Sequence, residues 1–334
     1  MKKYILIVLF ALFVGMILYF GNFNDIDSKK KRVVSIEHFN ICLVPDLSNR
    51  VNNALYPKPV DDTKLVNAII DDIYPNILKN RVEVNQPDKI MMKFTSPKII
   101  NYYGINNTLL KFDFERFGNS QINRITYLVD RDKKGLFKKD KNAFKSEFAS
   151  ALMKARKRTC GADIWSFFNN DLNRTDIKTE IDTIEDRKYI YNHKYNNIVV
   201  LFTDGYIEAG LYGKDNGRGN IKYHLSSNTI KEFRNAFKLS GAVDLNTFFK
   251  KKNYGLVPLK NPVLKNLNVL AVEFYDRSLT EYGNASVHPT DGEILSLFWN
   301  DWMKKSGVKR FKSCKITSSV DEFMQVFHEF AGIK

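Results

Sequence analysis

Two periods organise the apolar positions of this chain. Short apolar or alternating runs mark strands: HFNICLV (38–44), KIMMKFT (89–95), TLLKFDF (108–114), NIVVLFT (197–203), LNVLAVEFY (267–275) and FKSCKIT (311–317). ITYLVD (125–130) reads as a further edge strand. NIVVLFT is apolar without interruption, the mark of a strand covered on both faces. A spacing of three to four marks helices. One starts near Asp62 and carries Leu65, Ile69, Ile73 and Ile77 on one face, with Pro75 to kink or end it. Another starts near Asp140 with Phe144, Phe148 and Leu152 on its buried side. After a break at Thr159-Cys160-Gly161, a third holds Ile164, Phe167 and Phe168.

Three later helices are announced by a hydroxyl with a Glu three residues on: Thr229 with Glu232, Thr290 with Glu293, and Ser319 with Glu322. In such capping boxes each side chain satisfies the other's free backbone N–H. Gly241 is placed to terminate the first of them. Trp299 and Trp302 share a helix with Ile294, Leu295 and Phe298, a spacing that reads as core. The resulting order, β-α-β-β-α-β-α-β-α-β-α, predicts an α/β fold. It is doubly wound, with a mainly parallel central sheet and helices on both faces, as in Rossmann-like domains. Such sheets bind ligands outside the carboxyl ends of their strands, where the strand order reverses. Asp46 and Asp204 each follow a strand at that end.

The N-terminus changes the picture. Met1-Lys2-Lys3 precedes YILIVLFALFVGMILYF, seventeen residues without a charge, just long enough to span a bilayer. GNFNDID follows, with no small-residue cleavage pattern and no Cys for lipid attachment. The chain therefore divides into an expected uncleaved anchor (1–20), a polar linker (21–35) and one domain (36–334). Lys2 and Lys3 favour a cytoplasmic N-terminus, whereas Lys29-Lys30-Lys31-Arg32 argue the reverse. The expected location is a single-pass cell-membrane protein with its domain on the extracytoplasmic side.

The formal net charge of +15 raises nucleic acid or anionic lipid as partners. The basic residues are scattered through a chain rich in Asn, Ile and Lys, and no nucleic-acid motif organises them. Nucleic acid is not expected to be the partner. Three cysteines without regular spacing argue against a disulfide framework or a Cys-ligated zinc. The five histidines show no ligand spacing and read as structural.

The chemistry gathers in PDLSNRVNN (45–53) and TDG (203–205). An acid, a hydroxyl and a second acid from separate loops suit a hard divalent cation, Mg²⁺ or Mn²⁺, which wants oxygen donors. Asp46, Ser48 and Asp204 are the candidate metal ligands. These residues resemble the metal-ion-dependent adhesion site of von Willebrand factor A-like domains. That family's site uses D-x-S-x-S, a Thr from a middle loop, and the Asp of a T-D-G-like turn. Asp46 and Ser48 match the first acid and hydroxyl, and Asp204 the distal acid. The second hydroxyl position holds Arg50. In the middle loop, RTCGADIW, Ala162 replaces the Thr, and Thr159 is a nearby hydroxyl.

Two readings of Arg50 stand. Its guanidinium sits between Asp46 and Asp204 in a metal-free ion cluster, or it turns outward and leaves Mg²⁺ to three protein ligands and water. Asp163 either approaches the rim or caps the helix that follows. Glu273 falls inside an apolar strand, where it either pairs with a buried base or lies at the strand end facing solvent. The resemblance implies a membrane-tethered protein-interaction module of adhesion or scaffold type, without enzymatic activity and without a catalytic residue. The competing expectation is a Mg²⁺-dependent phosphoryl-transfer or hydrolytic enzyme using Asp46, which would need a concave pocket beside that residue. A third is a basic domain binding nucleic acid or anionic lipid.

Overall fold

A computed structural model describes residues 31–78, 87–118, 120–178, 183–185, 188–208, 217–280 and 282–333. The expected anchor and most of the linker lie outside the described residues. Among those described, no helix is long and apolar enough to cross a membrane. The chain divides into two units, residues 1–37 with 180–194, and residues 38–179 with 195–334.

In the larger unit, strand propensity and alternation build the sheet. Its strands are β1 (Arg32–Pro45), β2 (Lys89–Met92), β3 (Lys111–Asp113), β5 (Tyr189–Phe202), β8 (Leu267–Phe274) and β9 (Arg310–Lys315), with β1 and β5 beginning in the smaller unit. The spatial order is β3-β2-β1-β5-β8-β9. The β1–β2, β5–β8 and β8–β9 pairs are parallel, and the edge strand β3 is antiparallel to β2. The chain moves outward from β1 through β2 to β3, then restarts at β5 on the other side. The order therefore reverses between β1 and β5, where their carboxyl ends meet.

Period two divides β1 between two cores. Ile41 and Leu43 join one core, and Cys42 and Val44 the other. The first core takes α1 (Asp62–Asp72), α2 (Pro97–Tyr103), α3 (Gln121–Val129), α4 (Leu136–Lys157) and α9 (Val320–Ala331). The second takes α5 (Ile164–Ser166, continued by a π turn to Asp171), α6 (Ser227–Leu239), α7 (Leu245–Lys251) and α8 (Asp291–Lys305). Helices thus cover both faces, as the element order predicts. Leu65, Ile69, Phe144, Phe148, Trp299 and Trp302 are all buried on the expected faces. A two-stranded ribbon, β6 (Ile221–Lys222) with β7 (Gly255–Leu256), stands apart from the main sheet.

The smaller unit is a β-ribbon. Its β4 (Thr183–Glu185) pairs antiparallel with the first half of β5, Ile184 opposite Tyr191. Arg32 N–H donates to the Lys188 carbonyl at 3.0 Å, and Lys31 pairs with Glu185. This ribbon is the regular part of the stretch 174–194.

Three sequence expectations need correction. ITYLVD is helical, inside α3. Its buried positions are Arg124 and Tyr127, three apart, and the Tyr127 hydroxyl donates to Asp140 at 2.6 Å. Four β-favouring residues, Ile125, Thr126, Tyr127 and Val129, hid a helical period that needs a longer window to appear. The cap of α6 is Ser226, which accepts from Thr229 N–H at 3.2 Å, so the helix starts three residues before the expected box. Ser319 caps α9, but Glu322 turns to Ser318 instead of closing the box. Only Thr290 with Glu293 forms both halves. Helices α2 and α7, seven residues each, are too short to show a period.

Candidate functional site

The ends of β1 and β5 are locked together: Asp46 N–H donates to the Phe202 carbonyl at 2.9 Å. Asp46 is 1% exposed. Its Oδ1 accepts from Ser48 N–H at 2.9 Å and its Oδ2 from the Thr203 hydroxyl at 3.0 Å. Asp46-x-Ser48 is thus a turn closed by the acid's own side chain. The same device recurs at Asp204, whose Oδ1 accepts from Tyr206 N–H at 3.1 Å. Gly205 between them has φ +88, and a Cβ there would stand 3.1 Å from the Phe274 ring. Only glycine fits the T-D-G turn without strain.

A residue that the sequence reading passed over completes the rim. Arg277 follows β8, the strand beside β5, and its Nη2 donates to Asp204 Oδ2 at 2.8 Å. Its Nη1 reaches Glu208 at 2.9 Å and the Ser227 hydroxyl at 2.7 Å. The guanidinium lies 3.7 Å from the Tyr206 ring centroid and 5.0 Å from that of Tyr56. Burial, then the neighbouring Asp46 carboxylate, push Asp204 up to about 6, against the pull of Arg277 and Arg50. The two acids therefore repel, and Arg277 only partly offsets this. The signal for Arg277 was its place: YDR follows an apolar strand directly, as Asp46 and Asp204 do.

Arg50 does not sit between Asp46 and Asp204. It turns inward and forms a two-pronged pair with Asp62, Nη1 to Oδ2 at 2.7 Å and Nη2 to Oδ1 at 3.1 Å. Nη1 also donates to the Asp46 backbone carbonyl at 3.1 Å. A planar fork matches a carboxylate better than it matches two acids on separate loops. Lys58 adds a second cation to Asp62 at 2.7 Å. Burial alone would raise Asp62; Arg50 and Lys58 hold it well below the usual carboxylate range. Glu273, fully buried at φ +74 in the irregular end of β8, feels this cluster. Burial, then Asp62, push it up to about 7.

Asp46, Ser48, Arg50, Thr159, Ala162, Asp204, Glu208 and Arg277 line one cleft of about 210 Å³. The Thr159 hydroxyl donates to Asn49 at 2.8 Å. Asp163 does not line the cleft: it caps α5 through Ser166 N–H at 2.9 Å and borders the adjoining hollow with Ile99, Tyr102 and Cys160. Oxygen donors from Asp46, Ser48 and Asp204 share the cleft, the donor type that a hard divalent cation takes, and Arg277 occupies Asp204. Among the described residues, no group of three His, Cys, Asp or Glu is placed to hold a metal ion. The three cysteines are unpaired.

No protein-family model matches the chain, and no curated protein matches it. Among solved structures, the chain is similar to the pilus adhesin SpaC from Lactobacillus rhamnosus GG. That likeness has 13% identity and a TM-score of 0.33, and it covers 90% of this chain and 31% of the adhesin.

Proposed function

We propose that this chain is a membrane-tethered protein-interaction module working through the carboxyl-end rim of its sheet, with residues 1–20 as the tether. The observation that carries the reading is two buried acids at neighbouring strand ends, one of which, Asp204, is paired with a cation borrowed from a third loop. A site of that kind can exchange its cation. A divalent ion on Asp46, Ser48 and Asp204, or a basic side chain of a partner, would take the place of Arg277. The resemblance to von Willebrand factor A-like domains accords with this use, and so does the reversal of strand order between β1 and β5.

The enzymatic alternative is less well supported. A cleft of about 210 Å³ falls below the ~300–1,000 Å³ typical of small-molecule sites. The function is therefore read as non-enzymatic recognition.

Manganese uptake tests the exchange directly. The full chain in detergent is titrated with Mn²⁺, and loss of the free-ion electron paramagnetic resonance signal is followed. Arg277→Gln should bind about tenfold more tightly than the parent, equivalent to about 1.4 kcal/mol. Asp204→Ala should abolish uptake in either background. If Arg277→Gln takes up no Mn²⁺ at millimolar concentration, the metal-dependent form of the proposal fails. The rim would then have to act through its arginine alone.

A further inference from the structure

From Ser227, which meets Arg277 at its start, α6 runs on to form with α7 a hairpin held by aromatic contacts. Phe237 meets Phe248 at 5.4 Å between ring centroids, and Phe233 meets Phe248 at 5.7 Å and Phe249 at 6.0 Å. The core stops there, but the apolar sequence does not. Leu239 ends α6 at 89% exposure, and Val243 in the connecting turn is 99% exposed. They are the two most exposed large aliphatic residues among those described. Gly241, with φ +64, turns the chain between them. Folding has spent its packing on the phenylalanines and left two aliphatic side chains on a convex tip.

The surroundings of the tip are basic. Lys238 precedes Leu239 at the tip, and Lys250, Lys251 and Lys252 lie at the far end of α7, about two turns from it, all exposed. Among the described residues none of these four closes an ion pair. The acid at the tip, Asp244, is engaged in capping α7 through Thr247 N–H. Glu232 lies two turns back along α6.

The shape and chemistry point to one occupant. Protein hot spots favour aromatic and arginine anchors seated in pockets, and this tip offers neither. Aliphatic side chains on a protrusion, fringed by lysine point charges on flexible stems, suit an anionic bilayer. The apolar residues enter the boundary between headgroups and acyl chains while the ammonium groups meet lipid phosphates. We propose that the α6–α7 turn is a membrane-docking tip, inserting Leu239 and Val243 into an anionic lipid surface under the attraction of Lys238 and Lys250–Lys252.

Quenching by brominated lipid tests this in the full chain, whatever else holds the chain to the vesicle. The native Trp165, Trp299 and Trp302 are buried and supply a constant background. Val243→Trp and Leu239→Trp are compared with Tyr282→Trp, a control at a site 83% exposed. All are reconstituted into vesicles of brominated phosphatidylcholine with or without phosphatidylglycerol. The tip tryptophans should be quenched several-fold more than the control in anionic vesicles. The excess should disappear in neutral vesicles and when Lys250, Lys251 and Lys252 are all replaced by Glu. Tip tryptophans quenched no more than the control would overturn the proposal and leave a protein as the covering partner. Equal quenching in neutral vesicles would overturn the electrostatic part, and with it the choice of an anionic surface.

Discussion

Arg50 shows how one side chain can hold a site in place without touching a ligand. Its guanidinium joins the Asp46 carbonyl to Asp62, so the first turn of the rim is bolted to the start of α1. Both members of the pair are almost wholly buried. Removing Arg50 leaves Asp62 in a dry interior with Lys58 beside it and its two-pronged partner gone. Arg50→Ala is expected to cost about 3–5 kcal/mol, measured by urea denaturation. Replacing the whole cluster, as Arg50→Met with Asp62→Leu and Lys58→Met, should cost less than the single change, because no charge is then stranded. Glu273 belongs to the same buried neighbourhood and makes a separate prediction. Its carboxyl is raised from 4.5 to about 7, so the folded state holds the proton more tightly than the unfolded chain. Its contribution is most favourable below pH 4.5 and declines as the pH climbs to about 7. Glu273→Gln removes that decline. The variant should gain on the parent by on the order of 2–3 kcal/mol between those limits, read as the difference of two pH–stability curves.

Elements differ in how openly the sequence declares them, and the reasons are physical. The runs at 197–203 and 267–275 could only be buried strands, since both faces are apolar. The 22-residue α4 repeats its apolar face often enough to be unmistakable. The segment 121–129 was misread because most of its buried contact comes from Arg124 and Tyr127, residues that apolar counting discounts. At the start of α8 the local signal was complete: Thr290 and Glu293 bond each other's backbone as their spacing implies. That turn also receives the Arg277 loop, through Gly292 N–H to Asp276 at 2.9 Å. Thr290→Ala should cost about 1 kcal/mol of stability, measured by thermal denaturation, with Thr290→Ser close to the parent.

For the molecule as a whole, the doubly wound plan followed from alternation of strands and helices, and the rim followed from where charged residues interrupt apolar strands. Asp46 and Asp204 were legible because strand ends in such sheets share one side. The direction in which Arg50 points was not, because Asp61-Asp62 offers an acid as attractive as any on the rim. Arg277 was missed because, although its place after an apolar strand was visible, its partner depends on how a loop folds back after β8.

One further consequence lies in β1, which runs for fourteen residues from Arg32 to Pro45 and ends at Asp46. Within the larger unit it is flanked on both sides, by β2 and β5. A pull exerted on the rim against the chain's entry would run along this strand and strain its flanking ladders lengthwise, all rungs together. Bonds loaded together must fail together, whereas bonds at the end of a hairpin peel one after another. A partner tugging at Asp46 would thus meet the stiffest direction of the sheet.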